Sequence, residues 1–280
     1  MAFRELVRRV VRDIQVNESF ERASGLAFDF LLALFPLLFI LLAAFDLFAS
    51  YSLQLRTDLL AYFADLLPTL AFQLLNRTTE ELVANTSRDK LTIGIVVALW
   101  LVSTGVASII SSLNVAFRIR ESRRWFKVRA IALALSLVIS ILILWALCIV
   151  LVSGEFVDWV GRELQFASAM IVFWKALQWP TAVVFVIFSY ALIYHFGPNL
   201  PGRRWHWITP GSVFAAILWL AASLGFRIYL RFVNNYTVIF GSLGAAVILL
   251  VWLYVTGLAF LIGGEINATI ERAAAQNPDA

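Results

Sequence analysis

Of the 280 residues, 61% are hydrophobic and only 14% are charged, whereas a soluble domain of this length is about half apolar and a quarter charged. The apolar residues gather in runs long enough to cross a hydrocarbon layer about 30 Å thick, which takes roughly 20 residues per helix, and this excludes a soluble globular domain. One cysteine, Cys148, rules out a disulfide framework or a cysteine metal cluster, and the +4 net charge is explained by basic residues gathered on one side of a membrane, without nucleic acid.

Residues 1–22, MAFRELVRRVVRDIQVNESFER, place Leu6, Val7, Val10, Val11 and Ile14 at helical spacing, with Arg4, Arg8, Arg9 and Arg12 on the other side. That pattern predicts an amphipathic helix lying in the headgroup plane. A cleavable signal peptide is not expected, because the charged region is long and the apolar run after it is long enough to span. The first span is expected at 23–49, kinked at Pro36. Residues 50–90 are too polar to cross and carry amphipathic pieces (Leu55, Leu59, Phe63, Leu66, Leu67, Leu70) broken at Pro68, so they read as a helical extracytoplasmic segment.

Further spans are expected at 91–117, 130–153, 171–196, 208–233 and 243–270, followed by a tail at 271–280. The second ends in the basic loop RIRESRRWFKVR, the third in an acidic connector (Glu155, Asp158, Glu163), and the fourth in the turn GPNLPGRRWHW. No internal repeat or domain boundary divides the chain, so the fold class is an all-α integral membrane protein, a six-helix bundle forming one membrane domain. With six spans both termini share a side. That side holds Arg4, Arg8, Arg9, Arg12, Arg22, Arg118, Arg120, Arg123, Arg124, Lys127, Arg129, Arg203, Arg204 and Arg272, against Arg56, Arg77, Arg88, Lys90 and Arg162 opposite. The positive-inside rule then places both termini in the cytoplasm.

Helices in lipid associate through close backbone approach and interhelical hydrogen bonds. Candidate packing positions are Gly257, Gly264 and Ala268 on the last span, with Gly241 and Gly244 near its start. Ionisable groups inside spans are costly, about 2.5–3.5 kcal/mol even on the mild insertion scale, and so are informative. Asp29 lies about 9 Å into the first span and Glu265 about 8 Å from the end of the last, at 1.5 Å per residue; Asn114, Asn267 and His195 fall at comparable levels. Together they suggest a polar cavity that takes a cation, a proton or a polar head group. The alternative has the acids pairing with loop arginines such as Arg118 or Arg120. Arg227 and Arg231, four apart on the fifth span, form a candidate outer anionic site, or else snorkel or pair with Asp46, Glu155 or Asp158.

Enzyme motifs are missing from the sequence. His195 and His206 lie around one loop without an acidic partner in sequence, and no His-Glu-x-x-His, Gly-rich phosphate loop or Gly-x-Ser-x-Gly turn occurs. No cofactor or metal is expected. The expected partners are membrane lipids and a small solute or lipid substrate, with no nucleic acid.

The tail YTVIFGSLGAAVILLVWLYVTGLAFLIGGEINATIE resembles the closing signature of the YihY/BrkB family of bacterial inner-membrane proteins, through Phe240, Gly241, Ser242, Leu243, Gly244, Trp252, Tyr254, Gly263, Gly264 and Glu265. SGLAFDFLLALFPLL near the front, and Pro201, Trp207 and Gly211 before the fifth span, are similar to the same family. The resemblance implies six helices with cytoplasmic termini. It also implies an activity linked to envelope or lipid transport and serum resistance, under an older label of ribonuclease BN that no residue here supports. Two positions depart from the pattern: Phe240 and Asp29 stand where the family commonly has tyrosine, or at Asp29 a small polar residue. The sequence thus points to transport or translocation of a small solute or lipid, with a non-transporting envelope scaffold and a membrane-associated ribonuclease as alternatives.

Overall fold

The computed structural model describes residues 3–33, 88–163, 168–200, 208–232 and 236–276. These residues form seven helices and no strand: α1 (Phe3–Val16), α2 (residues 19–33), α3 (Arg88–Ala116), α4 (Trp125–Glu163), α5 (Ser168–Phe196), α6 (Pro210–Phe232) and α7 (Tyr236–Gln276). Helices α3 to α7 each contain a stretch long and apolar enough to cross a membrane, so five candidate spans stand among the described residues. The span expected at 23–49 is described only to residue 33, and the segment expected at 50–90 lies outside the described residues apart from the start of α3.

Helix ends follow local chemistry. After α1 the chain turns at Asn17 and Glu18, where the Glu18 φ of 54° is left-handed, and α2 starts with Arg22 N–H donating to Glu18 O at 3.0 Å. α3 closes with Ile119 N–H on Asn114 O and Arg118 N–H on Val115 O, both 2.8 Å, the paired bonds of a Schellman motif. Arg118 occupies the left-handed position with φ 56°, where glycine is usual and any other residue costs about 1–2 kcal/mol. At the start of α6, Thr209 Oγ1 accepts from Ser212 N–H at 3.2 Å and Ser212 Oγ accepts from Thr209 N–H at 3.1 Å. This reciprocal cap precedes Pro210 at the first helical position, where a missing N–H costs nothing. Two helices overrun the expected limits. α4 continues to Glu163 through residues expected as a connector, and α7 begins at Tyr236 and runs to Gln276. At 1.5 Å per residue α7 is roughly 60 Å long, twice a hydrocarbon core, so it extends beyond it.

The packing centre is the second half of α7. Ala23 and Leu26 of α2, Ile109 and Leu113 of α3, Ile193 and Tyr194 of α5, Ala215 of α6, and Phe260 and Leu261 of α7 form one buried cluster. Val106 and Ile110 of α3, Ala132 and Leu135 of α4, and Leu192 of α5 form a second. Small residues let the helices approach. A side chain at Gly257 would meet Ala23 and Leu26, and one at Gly264 would meet Leu113 and Tyr194. One at Gly263 would meet the Gly211 carbonyl, the Tyr194 hydroxyl and Ala215. Ala268 is fully buried. Gly241 and Gly244 lie on α7, but their surroundings fall outside what is described. The outside of the bundle is apolar, with Val96, Trp100, Ile141, Trp145, Val184, Ile217, Leu224 and Val251 exposed, as a surface solvated by lipid requires.

Candidate functional site

Two polar regions interrupt this apolar bundle. The first is built on the α7 stripe Leu261, Glu265, Ala268 and Arg272, which faces the turn between α1 and α2 and the end of α3. Glu265 is 1% exposed. Its Oε1 accepts from Asn17 Nδ2 at 2.8 Å and from Ser19 Oγ at 3.4 Å, while Oε2, also buried, has no hydrogen-bond partner among the described residues. Beside it lies a second buried acid, Asp13, 2% exposed. Arg272 Nη2 donates to Asp13 Oδ2 at 2.6 Å and Arg118 Nη2 to Oδ1 at 3.1 Å; Thr269 Oγ1 donates to Oδ2 at 3.4 Å, and Arg12 adds a more distant contact at 3.4 Å. Arg272 Nη1 also donates to Ala116 O at 2.5 Å, placing a cation on the unpaired carbonyls at the end of α3. The unusual arginine at the left-handed Arg118 position thereby acquires a reason: that backbone carries its guanidinium to Asp13.

Asn267, one helical step away, points to another neighbour. Its Oδ1 accepts from Gly211 N–H and its Nδ2 donates to Thr209 Oγ1, both at 2.9 Å, so it ties α7 to the capped start of α6. Gly211 has to be glycine here, because a Cβ would run into the Gly263 carbonyl and the Asn267 amide. Asn114 performs the equivalent task for the loops. Its Nδ2 donates to Glu121 at 2.7 Å and its Oδ1 accepts from Asn199 N–H at 2.9 Å. Arg123 completes this latch through Glu121 at 2.7 Å and Gly197 O at 2.8 Å. The hydrogen bond from the Arg123 side chain, aided by its backbone N–H and by Asn114, holds the Glu121 carboxyl down at about 2. His195 is half-buried at the end of α5, edge-on to Phe196 at 4.7 Å. Tyr194 beside it is fully buried and donates to Phe260 O at 2.5 Å.

The second region is a groove of about 220 Å³ between α2 and α3, lined by Arg22, Gly25, Leu26, Asp29, Ser108, Ser111 and Ser112. Arg22 and Asp29 are seven residues apart on one face of α2, which separates them by about 10 Å along the axis. Gly25 sits between them, with nothing within 4 Å of where its Cβ would be. The half-buried Asp29 carboxylate makes no hydrogen bond or ion pair among the described residues, and Arg22 donates only through Nε, to Asn17 O at 3.0 Å. A carboxylate, a guanidinium with both amino groups available, and three hydroxyls can together hold a charged or zwitterionic polar group.

Of the five residues expected around one cavity, Asp29 lines the groove and Glu265, Asn114, Asn267 and His195 do not. Arg227 is exposed on α6; the Arg231 side chain, Glu155 and Asp158 as side chains, and Asp46 altogether lie outside what is described. Sequence reasoning passed over Asp13, Asn17 and Ser19, and read Arg272 only as a charge on the side of the termini. The available signal was the α1 spacing: Asp13 and Asn17 stand on the same helical stripe as Leu6 and Val10, where a surface helix would keep apolar residues. Among the described residues no three His, Cys, Asp or Glu side chains converge as metal ligands.

The profile of a family described as "Virulence factor BrkB" matches residues 10–280. The chain is 30% identical over 261 residues to a ribonuclease-like protein YfkH of Bacillus subtilis, covering 92% of each chain. It is 26% identical over 250 residues to a UPF0761 membrane protein of Tolumonas auensis, covering 89% of this chain and 79% of the other. A UPF0761 membrane protein of Idiomarina loihiensis is 29% identical over 226 residues, 78% of this chain and 74% of that one. No solved structure matches the chain.

Proposed function

The chain belongs to the BrkB family of membrane proteins, and on that premise we propose that it moves a small polar solute or a lipid head group across a bacterial inner membrane along the α2–α3 groove. The observation that carries this reading is the groove itself: a carboxylate and a guanidinium left without partners of their own strength, in a bundle whose other polar side chains are largely engaged with one another. Intramembrane charges are expensive and an unpaired one calls for a ligand. Asp29 takes the cationic part of the cargo, Arg22 the anionic part, and the serines its hydroxyls. The basic residues near α1 and in the α3–α4 loop favour cytoplasmic termini. The exposed Val7 and Val11 of α1, flanked by Arg4 and Arg8, suit a helix resting on an anionic lipid surface.

The test is purified protein in liposomes, assayed for movement of fluorescent phospholipids and of labelled zwitterionic solutes. Asp29→Asn is expected to lower movement at least tenfold while leaving the protein folded; movement equal to wild type would remove the groove from the mechanism. A second reading, an envelope scaffold that moves nothing, is favoured by the closed packing around Glu265 and Asn267. It predicts no movement of any cargo by the wild-type protein. The name of the Bacillus relative raises RNA cleavage as a third activity; incubation with RNA and a divalent metal is expected to leave the RNA intact.

A further inference from the structure

We propose that Glu265 is a proton-binding site whose proton sits on Oε2 and keeps the α1–α2 turn docked on α7. The two carboxyl oxygens of Glu265 are treated unequally. Oε1 is served by an amide and a hydroxyl, while Oε2 is sealed from solvent and has no hydrogen-bond partner among the described residues. An ionised carboxylate presents two acceptor oxygens, and leaving a charged one bare in an interior is far costlier than leaving a neutral group. A proton makes Oε2 a hydroxyl, removes the net charge, and leaves Oε1 as the carbonyl that Asn17 and Ser19 already contact.

The neighbouring cations do not replace that proton. The charged groups next to Glu265 or to its neighbours Asp13 and Asn17 are Arg272 on its own helix, Asp13 and Arg12 from α1, Arg118 from the end of α3, and Arg22 from α2. The Arg272 donors are directed to Asp13, Ala116 O and Thr269, and the Arg118 bond goes to Asp13. Arg22 bonds to Asn17 O, and Arg12 is mostly exposed beside Asp13. A metal ion fits poorly, because the nearest polar group, the Asn17 amide, presents N–H rather than oxygen.

The turn passes the effect on. Asn17 holds Glu265 with its side chain and Arg22 with its backbone carbonyl, and Arg22 lines the groove. Glu18, next in sequence, keeps a left-handed backbone, a conformation that persists while its surroundings hold it. When the Oε2–H bond breaks, its electron pair stays on oxygen and the proton passes to water at the α1 end. The charge on the sealed, partnerless Oε2 then draws water into the site, which loosens the turn and shifts Arg22, coupling protonation to the groove; this coupling rests on the groove reading above.

The experiment is infrared difference spectroscopy of the full chain in phosphatidylethanolamine–phosphatidylglycerol vesicles during a pH titration. The expected result is a carbonyl band of a protonated carboxylic acid that shifts in D₂O, disappears as pH rises, and is missing in Glu265→Gln. Protection of α1 from proteolysis should fall over the same pH range in wild type and stay constant in the variant. A band that persists in Glu265→Gln, or its absence from wild type at every pH, overturns the proposal. Should Glu265→Gln not assemble, Glu265→Asp decides: a displaced band supports the site and an unmoved one refutes it. Cargo movement is read separately. A titrating band with pH-indifferent movement removes the coupling, whereas wild-type movement in Asp29→Asn defeats the groove reading without touching the band.

Discussion

The cluster where α7 meets α1 and the groove between α2 and α3 use the same residue types in opposite ways. In the cluster Asp13 is surrounded by Arg272, Arg118 and Thr269, and Glu265 is closed off beside Asn17 and Ser19. In the groove Asp29 and Arg22 lie on one face, too far apart along the axis to be neighbours on the helix, with a glycine leaving space between them. A carboxylate whose neighbours are arginines of the same chain holds helices together. A carboxylate that faces a cavity is available to something else. The number of charges is similar; one set is paired by residues of other helices, and the other has no partner of its own strength among the described residues.

The sharpest way to break the comparison is to remove the acid from each region. Asp13→Ala leaves the partly exposed Arg272 and Arg118 without their counter-charge and should cost about 2–3 kcal/mol, read as a lower midpoint in denaturant titration of the detergent-solubilised protein. Asp29→Asn should change the stability read from the same titration by about 0.5 kcal/mol or less while lowering cargo movement at least tenfold. Equal loss of stability in both variants would erase the distinction between the two regions. Asn267→Ala comes next. It strands Gly211 N–H and the Thr209 hydroxyl at the start of α6, for a loss of about 1–3 kcal/mol, and hydrogen exchange of residues 211–213 should rise.

The smallest effect belongs to the loop latch. Glu121 is held near 2 against an ordinary value of 4.5, first by the Arg123 side-chain hydrogen bond. Its folded form therefore binds the proton less readily than its unfolded form. The stability it contributes is present above about 4.5 and is lost as pH falls from there toward 2. Glu121→Gln should be slightly less stable than wild type at neutral pH, with the gap closing across that window in thermal unfolding curves.

The local order along the chain was legible before any contact was known. Apolar runs separated by basic and Pro/Gly-rich segments predict spanning helices, because hydrocarbon demands internally bonded backbone, and five such helices stand among the described residues. Gly257 and Gly264 of α7 read as packing positions because lipid offers no hydrophobic force between helices, and both lie against other helices. Asp29 and Glu265 were visible as acids in apolar surroundings, since the cost of burial is a property of the residue and its flanks.

What each acid faces was decided only by the tertiary structure. Depth along a span placed Asp29, Glu265, Asn114, Asn267 and His195 at comparable levels, but depth carries no information about direction around the helix or about which neighbour lies there. Asn267 faces the cap of α6, Asn114 faces two loops, and Glu265 faces a turn 248 residues away in sequence from its closest donor. Asp13, on a helix expected to lie on the membrane surface, became the most heavily paired acid of the described bundle end. Pairing depends on separations closed by folding and not on spacing along the chain, so sequence could nominate the costly residues, whereas only the packed helices determined which of them still lack a partner.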